Sequence, residues 1–170
     1  MSSTIERTLI LLKPDALQRG IAGEIITRFE RVGLKMVGIK MVSPSKEHYH
    51  THYETISKMI TRRGQKAFDV TLDFMMIGPV IAVVLEGVEA VAEVRKMVGA
   101  TEPKEALPGT VRGDYAHISF SHADVVNSGI PNLIHASGDP GEAKQEVAHW
   151  FSEEELFNYD HAYETLVRGA

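Results

Sequence analysis

The chain is predicted to be an α/β protein: an α+β sandwich in the ferredoxin-like βαββαβ order, with a four-stranded antiparallel sheet covered by helices. Three observations predict it. Short apolar runs at Thr8–Leu12, Leu34–Val42 and Val80–Leu85 have the length and β-branched content of buried strands. Between them, apolar residues return at helical spacing, as at Ile21, Ile25, Ile26, Phe29 and Val32. Gly33, Ser43-Pro44-Ser45 and Gly78-Pro79 fall where one period gives way to the other.

The elements follow in order. Thr8–Leu12 is continuously apolar, and Lys13-Pro14-Asp15 ends it with a charge and a strand breaker. The helix after Gln18-Arg19-Gly20 closes at Gly33. The second strand, Leu34–Val42, leads into a helix opened by Ser43-Pro44-Ser45. That helix carries His48, His52 and Tyr53, fades near Thr61 and is broken by Arg62-Arg63-Gly64. A further helix, about 65–76, shows Phe68, Leu72, Met75 and Met76 on one face and stops at Gly78-Pro79. After the third strand comes a helix over 88–98 with Val88, Val91, Ala92, Val94 and Val98 inward. A Pro-containing loop follows from Thr101 to Gly109, and His117–Ser121 is read as the fourth strand. Asp139-Pro140-Gly141-Glu142 has the form of a helix start, with Asp139 as N-cap, Pro at the first position and Glu three residues after the cap. This helix runs to about Trp150, and a last one lies near His161.

The composition narrows the function. The 170 residues suit one domain, without repeat or linker. The net charge is −5 and no Lys/Arg run exceeds Arg62-Arg63, so no nucleic-acid partner is expected. There is no cysteine, which removes disulfides and thiolate catalysis. No apolar run reaches the ~18 residues of a membrane helix, so no membrane partner is expected, and nothing in 1–7 resembles a signal peptide; the cytoplasm is the expected compartment.

The chemistry gathers around Asn132-Leu133-Ile134-His135-Ala136-Ser137-Gly138-Asp139, where one histidine stands between an apolar run and small polar residues. Glu146 follows eleven residues after it, on a helix. A neutral imidazole attacks through one nitrogen while a carboxylate holds the other. With a reference pKa of about 6.5, most of it is already neutral at pH 7. Three cations sit where core-building alone would not put them: Lys13 at a strand end, Arg95 in a helix stripe and Arg112 after Pro108-Gly109-Thr110-Val111. Together they suggest a polyanion site, with Thr101 as a hydroxyl donor. A histidine nucleophile beside fixed cations argues for phosphoryl transfer.

In these pieces, taken in order, the chain resembles the nucleoside diphosphate kinase family over almost its whole length. The resemblance runs through Glu6-Arg7-Thr8, Lys13-Pro14-Asp15, Gln18-Arg19-Gly20, Gly23-Glu24-Ile25-Ile26, Gly78-Pro79-Val80, Arg95 to Thr101, Pro108 to Asp114, Asn132 to Ser137 and Trp150-Phe151. It implies a ping-pong enzyme that moves the terminal phosphate of a nucleoside triphosphate, mainly ATP, to nucleoside diphosphates and so maintains NTP and dNTP pools. By the same resemblance His135 is the phosphorylated nucleophile, with Glu146 and Ser137 supporting its ring. Lys13, Arg95, Thr101 and Arg112 bind phosphate, Asn132 touches ribose and the terminal phosphate, and Tyr53 lies against phosphates and histidine. Phe68 is the nearest candidate to stack on the base. The family uses Mg²⁺ held mainly by nucleotide and water, so no protein metal site is expected. It assembles as hexamers or as tetramers, with Pro103 in a subunit-contact loop.

The match breaks in places. Two segments, about 54–67 and 120–131, are longer than the family pattern. Ala136 replaces a glycine, where an ordinary φ is expected, and Gly138 stands where aspartate is usual. His48-x-His50-x-His52 invites a metal, yet on a helix only His48 and His52 share a face, and no carboxylate set accompanies them. Two other readings remain open at this point: a nucleotide-binding module without catalysis, and a metal-dependent phosphohydrolase built on those histidines.

Overall fold

A computed structural model describes residues 4–168. Four strands form one antiparallel sheet in the order β2-β3-β1-β4: β1 Ile5–Leu12, β2 Lys35–Val42, β3 Val80–Val88 and β4 Ile134–Ala136. β1 and β3 pair over their full lengths, with Leu9 opposite Val84, and a bulge between Met36 and Gly38 offsets β2.

Both faces of the sheet are covered, and this explains the unbroken apolar run of β1. On one face Ile10, Leu12, Val83 and Leu85 pack under α2 (Ala22–Arg31) and α6 (Ala90–Val98). On the other, Leu9, Leu11, Ala82 and Val84 pack under α3 (Lys46–His50), α5 (Gln65–Met75) and α9 (Pro140–Trp150). The short helices α1 (Pro14–Gln18), α4 (Met59–Arg63), α7 (Val111–Tyr115) and α8 (Phe120–Val125) shape the loops, and α10 (Glu164–Arg168) ends the described chain. Among the described residues no helix is long and apolar enough to cross a membrane.

The structure corrects four local expectations. His117–Ser121 is not a strand: the Ser119 side chain accepts the His122 amide and starts α8, and the fourth strand is Ile134–Ala136, which carries His135. A capping hydroxyl here outweighs the weak alternation of a short polar segment. The helix after Ser45 passes into a π-helical turn, Thr51–Ile56, and breaks at Lys58 (φ +54), before α4, so that Arg62 and Arg63 lie inside a helix. The left-handed Gly64 (φ +89) then separates α4 from α5. Val88 belongs to β3 and is exposed, and Ala92 faces outward from α6. Met76 lies just past α5 and is exposed.

Candidate active site

Five segments meet at a cavity of about 360 Å³: the end of β1, the α3-to-α5 arm, the α6-to-α7 stretch, the chain around β4 and the start of α9. The chain enters β4 through a sharp turn. Leu133 has φ +71, a conformation that costs a branched residue about 1–2 kcal/mol. It is held there because its amide donates to Asp15 Oδ2 (3.0 Å), while its carbonyl accepts from the Lys13 amide (2.9 Å). The Ile134 amide reaches back to the Asn132 carbonyl (2.8 Å), completing the turn. The strain sits one residue before the strand that presents His135.

His135 is clamped from behind. Its Nε2 lies 3.0 Å and 3.1 Å from the two oxygens of Glu146, a carboxylate with no exposed surface. Glu146 also accepts from Ser137 Oγ (2.6 Å) and Ser57 Oγ (3.3 Å). Burial alone would raise its carboxyl pKa. The adjoining His135 imidazole, by charge and hydrogen bond, with His52 and the Ser137 hydroxyl, holds it well below the usual carboxylate range instead. Nε2 is thereby the anchored nitrogen and Nδ1 the one left for chemistry. Ser137 is fixed in turn, because its hydroxyl accepts the Leu9 amide (3.2 Å) where β4 has ended.

His52 forms a wall beside this pair. It is fully buried, its ring meets that of His135 edge-on at 4.5 Å, and its Nδ1 accepts the Trp150 indole N–H (3.1 Å). Burial and the neighbouring His135 keep it neutral by lowering its pKa well below 6.5. Among the described residues His52, His135 and Glu146 form the one trio of such side chains close enough to share a metal. The Trp150 N–H already occupies the His52 lone pair, and Glu146 already holds His135. The histidine-rich segment does not converge: His48 stacks on His149, and His50 meets the edge of Phe68.

The cations line the same cavity. Lys13, Arg95, Thr101, Arg112, Asn132, Tyr53 and His135 are all in its wall. Asn132 is the knot among them. Its Oδ1 accepts from Lys13 Nζ (2.7 Å), its amide N donates to the Thr101 carbonyl (2.8 Å), and its own carbonyl accepts from Arg112 Nε (3.2 Å). Arg112 donates further to the carbonyls of Gly99 (3.1 Å) and Ile134. Burial, with Arg95 and Arg63 nearby, lowers its pKa to about 10. Burial and the Arg112 charge bring Lys13 down to about 7. The Tyr53 hydroxyl is buried in the wall without a hydrogen-bond partner. Such an arrangement can take a polyanion and present it to a nucleophile with no water between.

One expected site residue lies elsewhere. Phe68 is buried in the core and is not in the cavity wall; α5 reaches the wall through Thr71, three residues on, instead. The wall has Met59, Arg62 and Arg63 from α4 and Ile130 from the segment before β4. Those segments pack together: the Arg63 guanidinium lies 5.6 Å from the Phe120 ring centre, and Gly129 sits against Val70 and Phe74 with no room for a Cβ. Sequence reasoning also missed Ser57 and the wall role of His52, for which no local pattern exists. Ala136 pairs with Ile10 in β4 and has no positive φ. The α9 start forms with Asp139 as cap, its Oδ1 accepting the Glu142 amide (2.9 Å). The Glu142 carboxylate turns to the Gly138 amide (3.2 Å) and to Arg62 rather than back to the cap.

Comparison with known proteins agrees with this geometry. The family model for nucleoside diphosphate kinase matches residues 6–156. A nucleoside diphosphate kinase of Pyrococcus horikoshii is 46% identical over 162 residues, covering 95% of this chain and 94% of that one. One from Borreliella burgdorferi is 40% identical over 155 residues, covering 91% and 92%. Among solved structures, a transition-state mimic of the Borrelia burgdorferi nucleoside-diphosphate kinase with bound vanadate and ADP superimposes with a TM-score of 0.94 at 38% identity, covering 98% and 99%. A Halobacterium salinarum nucleoside diphosphate kinase in complex with CDP gives 0.80 at 39%, covering 95% and 97%. With the family model matching most of its length and relatives above 40% identity covering nearly all of it, the chain belongs to the nucleoside diphosphate kinase family.

Proposed function

We propose that the protein transfers the terminal phosphate of a nucleoside triphosphate, mainly ATP, to nucleoside diphosphates through a phosphohistidine at His135, and so balances NTP and dNTP pools. The observation that carries this reading is the Nε2–Glu146 clamp, which leaves Nδ1 of His135 at a cavity lined by cations. In the first half-reaction the Nδ1 lone pair attacks the terminal phosphorus. The bond from that phosphorus to the bridging oxygen breaks, and its electrons leave on the nucleoside diphosphate. The second half-reaction is the reverse, with a different diphosphate attacking the phosphohistidine. Glu146 stabilises the imidazolium character that builds up on the ring, and Ser137 and Ser57 keep that carboxylate in place. Lys13, Arg95, Thr101 and Arg112 neutralise the phosphoryl oxygens, Asn132 and Tyr53 align ribose and phosphate, and all act on charge that grows in the transition state.

The wall residues suit Mg²⁺ that arrives with the nucleotide. They are mostly cations and neutral donors, and the acidic ones, Asp139 and Glu142, stand together at the start of α9 without a third acidic partner in the wall. When bound, Mg²⁺ would supply charge neutralisation at the phosphates. The protein then holds the phosphates through Lys13, Arg95, Thr101 and Arg112. In place of Phe68, the apolar wall residues Met59 and Ile130 contact the base, which accounts for broad base tolerance because neither can hydrogen-bond it. We read residues 1–170 as one domain whose longer segments, 54–67 and 120–131, supply that end of the cavity. The same reading makes the protein a homo-oligomer, hexamer before tetramer. The exposed apolar Ile39, Met41 and Leu107 support this, and a light-scattering mass decides it.

The test is phosphoenzyme formation with terminally labelled ATP and Mg²⁺, then a chase with GDP. We expect an acid-labile, base-stable label on the protein that leaves as GTP. Nucleotide binding without label would reduce the protein to a binding module, and label released only to water would make it a hydrolase.

Lys13 gives a second expectation. Its pKa of about 7 in the folded protein is below the ~10.4 of an exposed lysine. Between these values the unfolded chain binds more protons, so leaving Lys13 neutral contributes stability that grows as pH rises through that window. A bound phosphate reverses the bias toward the charged form. ADP binding at pH 8 is therefore expected to take up protons, and at pH 6 to take up fewer or release some, since Lys13 is by then mostly charged and the terminal phosphate brings its own proton. Calorimetry in two buffers of different ionisation enthalpy reads this directly, and equal uptake at both pH values would assign the proton to another group.

A further inference from the structure

Glu142 is an anion in a cavity otherwise suited to anions. The residue is 7% exposed and lies in the wall with Lys13, Arg95 and Arg112. One oxygen accepts the Gly138 amide (3.2 Å), and the other forms an ion pair with the Arg62 guanidinium, reaching across from α4. The donors it uses, a backbone N–H and a guanidinium, are the donors a phosphate would use. Its place there depends on Gly138, because a Cβ at that position would stand 2.4 Å from the Glu142 oxygen. A side chain at 138 would force the carboxylate to move from this position.

We propose that Glu142 is a resident counter-anion that holds Arg62 in the nucleotide-free protein, and that nucleotide phosphates must displace it, so that the Arg62–Glu142 pair selects ligands by phosphate charge. This rests on the reading that nucleotide phosphates bind in this cavity. Two attractions compete for one guanidinium. A nucleoside diphosphate has a second phosphate, so one can be held by Lys13, Arg95 and Arg112 while the other takes Arg62 from the carboxylate. A nucleoside monophosphate has only one, and is left facing a buried carboxylate of like sign. The pair thus penalises monophosphates in a cavity whose remaining cations would bind them without distinction.

The experiment measures metal-free AMP and ADP affinity by calorimetry, in wild type, Glu142→Gln and Gly138→Ala, and in Arg62→Ala with and without Glu142→Gln. Glu142→Gln keeps the Gly138 contact and removes the charge. It is expected to tighten AMP by at least about fivefold and ADP by less, so the preference for ADP shrinks. This corresponds to the upper range for a partly exposed ion pair. Gly138→Ala, which moves the carboxylate by contact, is expected to shift both affinities in the same direction. In the Arg62→Ala background no guanidinium is left to compete for, so Glu142→Gln is expected to relieve only the like-charge repulsion and to leave the preference for ADP over AMP unchanged. Unchanged or weakened AMP binding in Glu142→Gln would overturn the proposal, since the carboxylate would then be orienting Arg62 for the ligand rather than competing with it. Equal tightening of both ligands with Arg62 in place, the same as without it, would overturn it as well, leaving a general charge effect. Arg95→Ala is the control for the reading beneath it: ADP affinity indifferent to that change would put the nucleotide outside this cavity, and the inference would fall with it.

Discussion

Replacing His135 with alanine is expected to abolish phosphate exchange, lowering kcat by at least about 10⁴-fold, while ADP affinity changes by less than a few-fold. The asymmetry follows from the geometry. His135 makes its protein contacts backward, to Glu146, and the groups assigned to phosphate binding reach the cavity from β1, α6, α7 and the Asn132 turn. Removing the imidazole takes away the nucleophile without touching the Lys13–Asn132–Arg112 linkage. Steady-state exchange assays with ADP calorimetry on the same preparation separate the two effects. Retained exchange would remove the phosphohistidine. A collapse of ADP binding together with turnover would make His135 part of the binding wall instead.

Arg112→Ala carries the second large effect, and here binding and folding change together. The guanidinium donates to three backbone carbonyls, those of Gly99, Asn132 and Ile134, and it is 7% exposed. Losing it leaves those acceptors without their charged donor, at a cost of about 3 kcal/mol. For a chain of this size that lowers Tm by roughly 6–12 °C. ADP affinity and transfer rate should also fall, each by at least about tenfold, since both a phosphate partner and the fixture of the β4 entry are gone. Arg112→Lys keeps a charge without the fork and should recover less than half of the lost Tm. Thermal melts with and without saturating ADP distinguish the contributions. An unchanged Tm would mean the carbonyls find water at no cost, and an unchanged ADP affinity would take Arg112 out of the phosphate set.

What the sequence made legible was whatever local periodicity or capping chemistry encodes. β1, β2, β3, α2, α5 and α9 stand within a few residues of their expected bounds, because an apolar period and a Gly, Pro or Asp signal coincide at each. β4 was misassigned to His117–Ser121. It has three residues, too few for a period, and owes its existence to pairing with β1 and to the Leu133 turn, which Asp15 holds from 118 positions away. The same limit explains Phe68. An aromatic in a helical stripe is visible, but which face of α5 meets the cavity is set by tertiary packing, and Thr71 rather than Phe68 reaches the wall. His135, Glu146, Lys13, Arg95, Thr101, Arg112, Asn132, Ser137 and Tyr53 were found from a motif order, and the structure brings them to one cavity and the clamp behind it. Ser57 and Glu142 reach it through tertiary contacts that no spacing announces, while the Arg62-Arg63 pair is visible in the sequence as a further phosphate contact, though it reads there more simply as a solvated turn.

The Arg112 fork has a consequence of a different kind. β4 is the last strand of the sheet, and the Leu133 carbonyl faces β1, so the Ile134 carbonyl faces away from the ladder, while the Asn132 carbonyl just before the strand is turned back to the Ile134 amide. A row of unpaired acceptors on an outer strand is a template on which a strand from another chain can add. Arg112 supplies those carbonyls with donors from a side chain, acting as the neighbouring strand that is not there. The edge that carries His135 thereby has a side-chain donor where a strand from another chain would pair, and the guanidinium occupies the position of that strand.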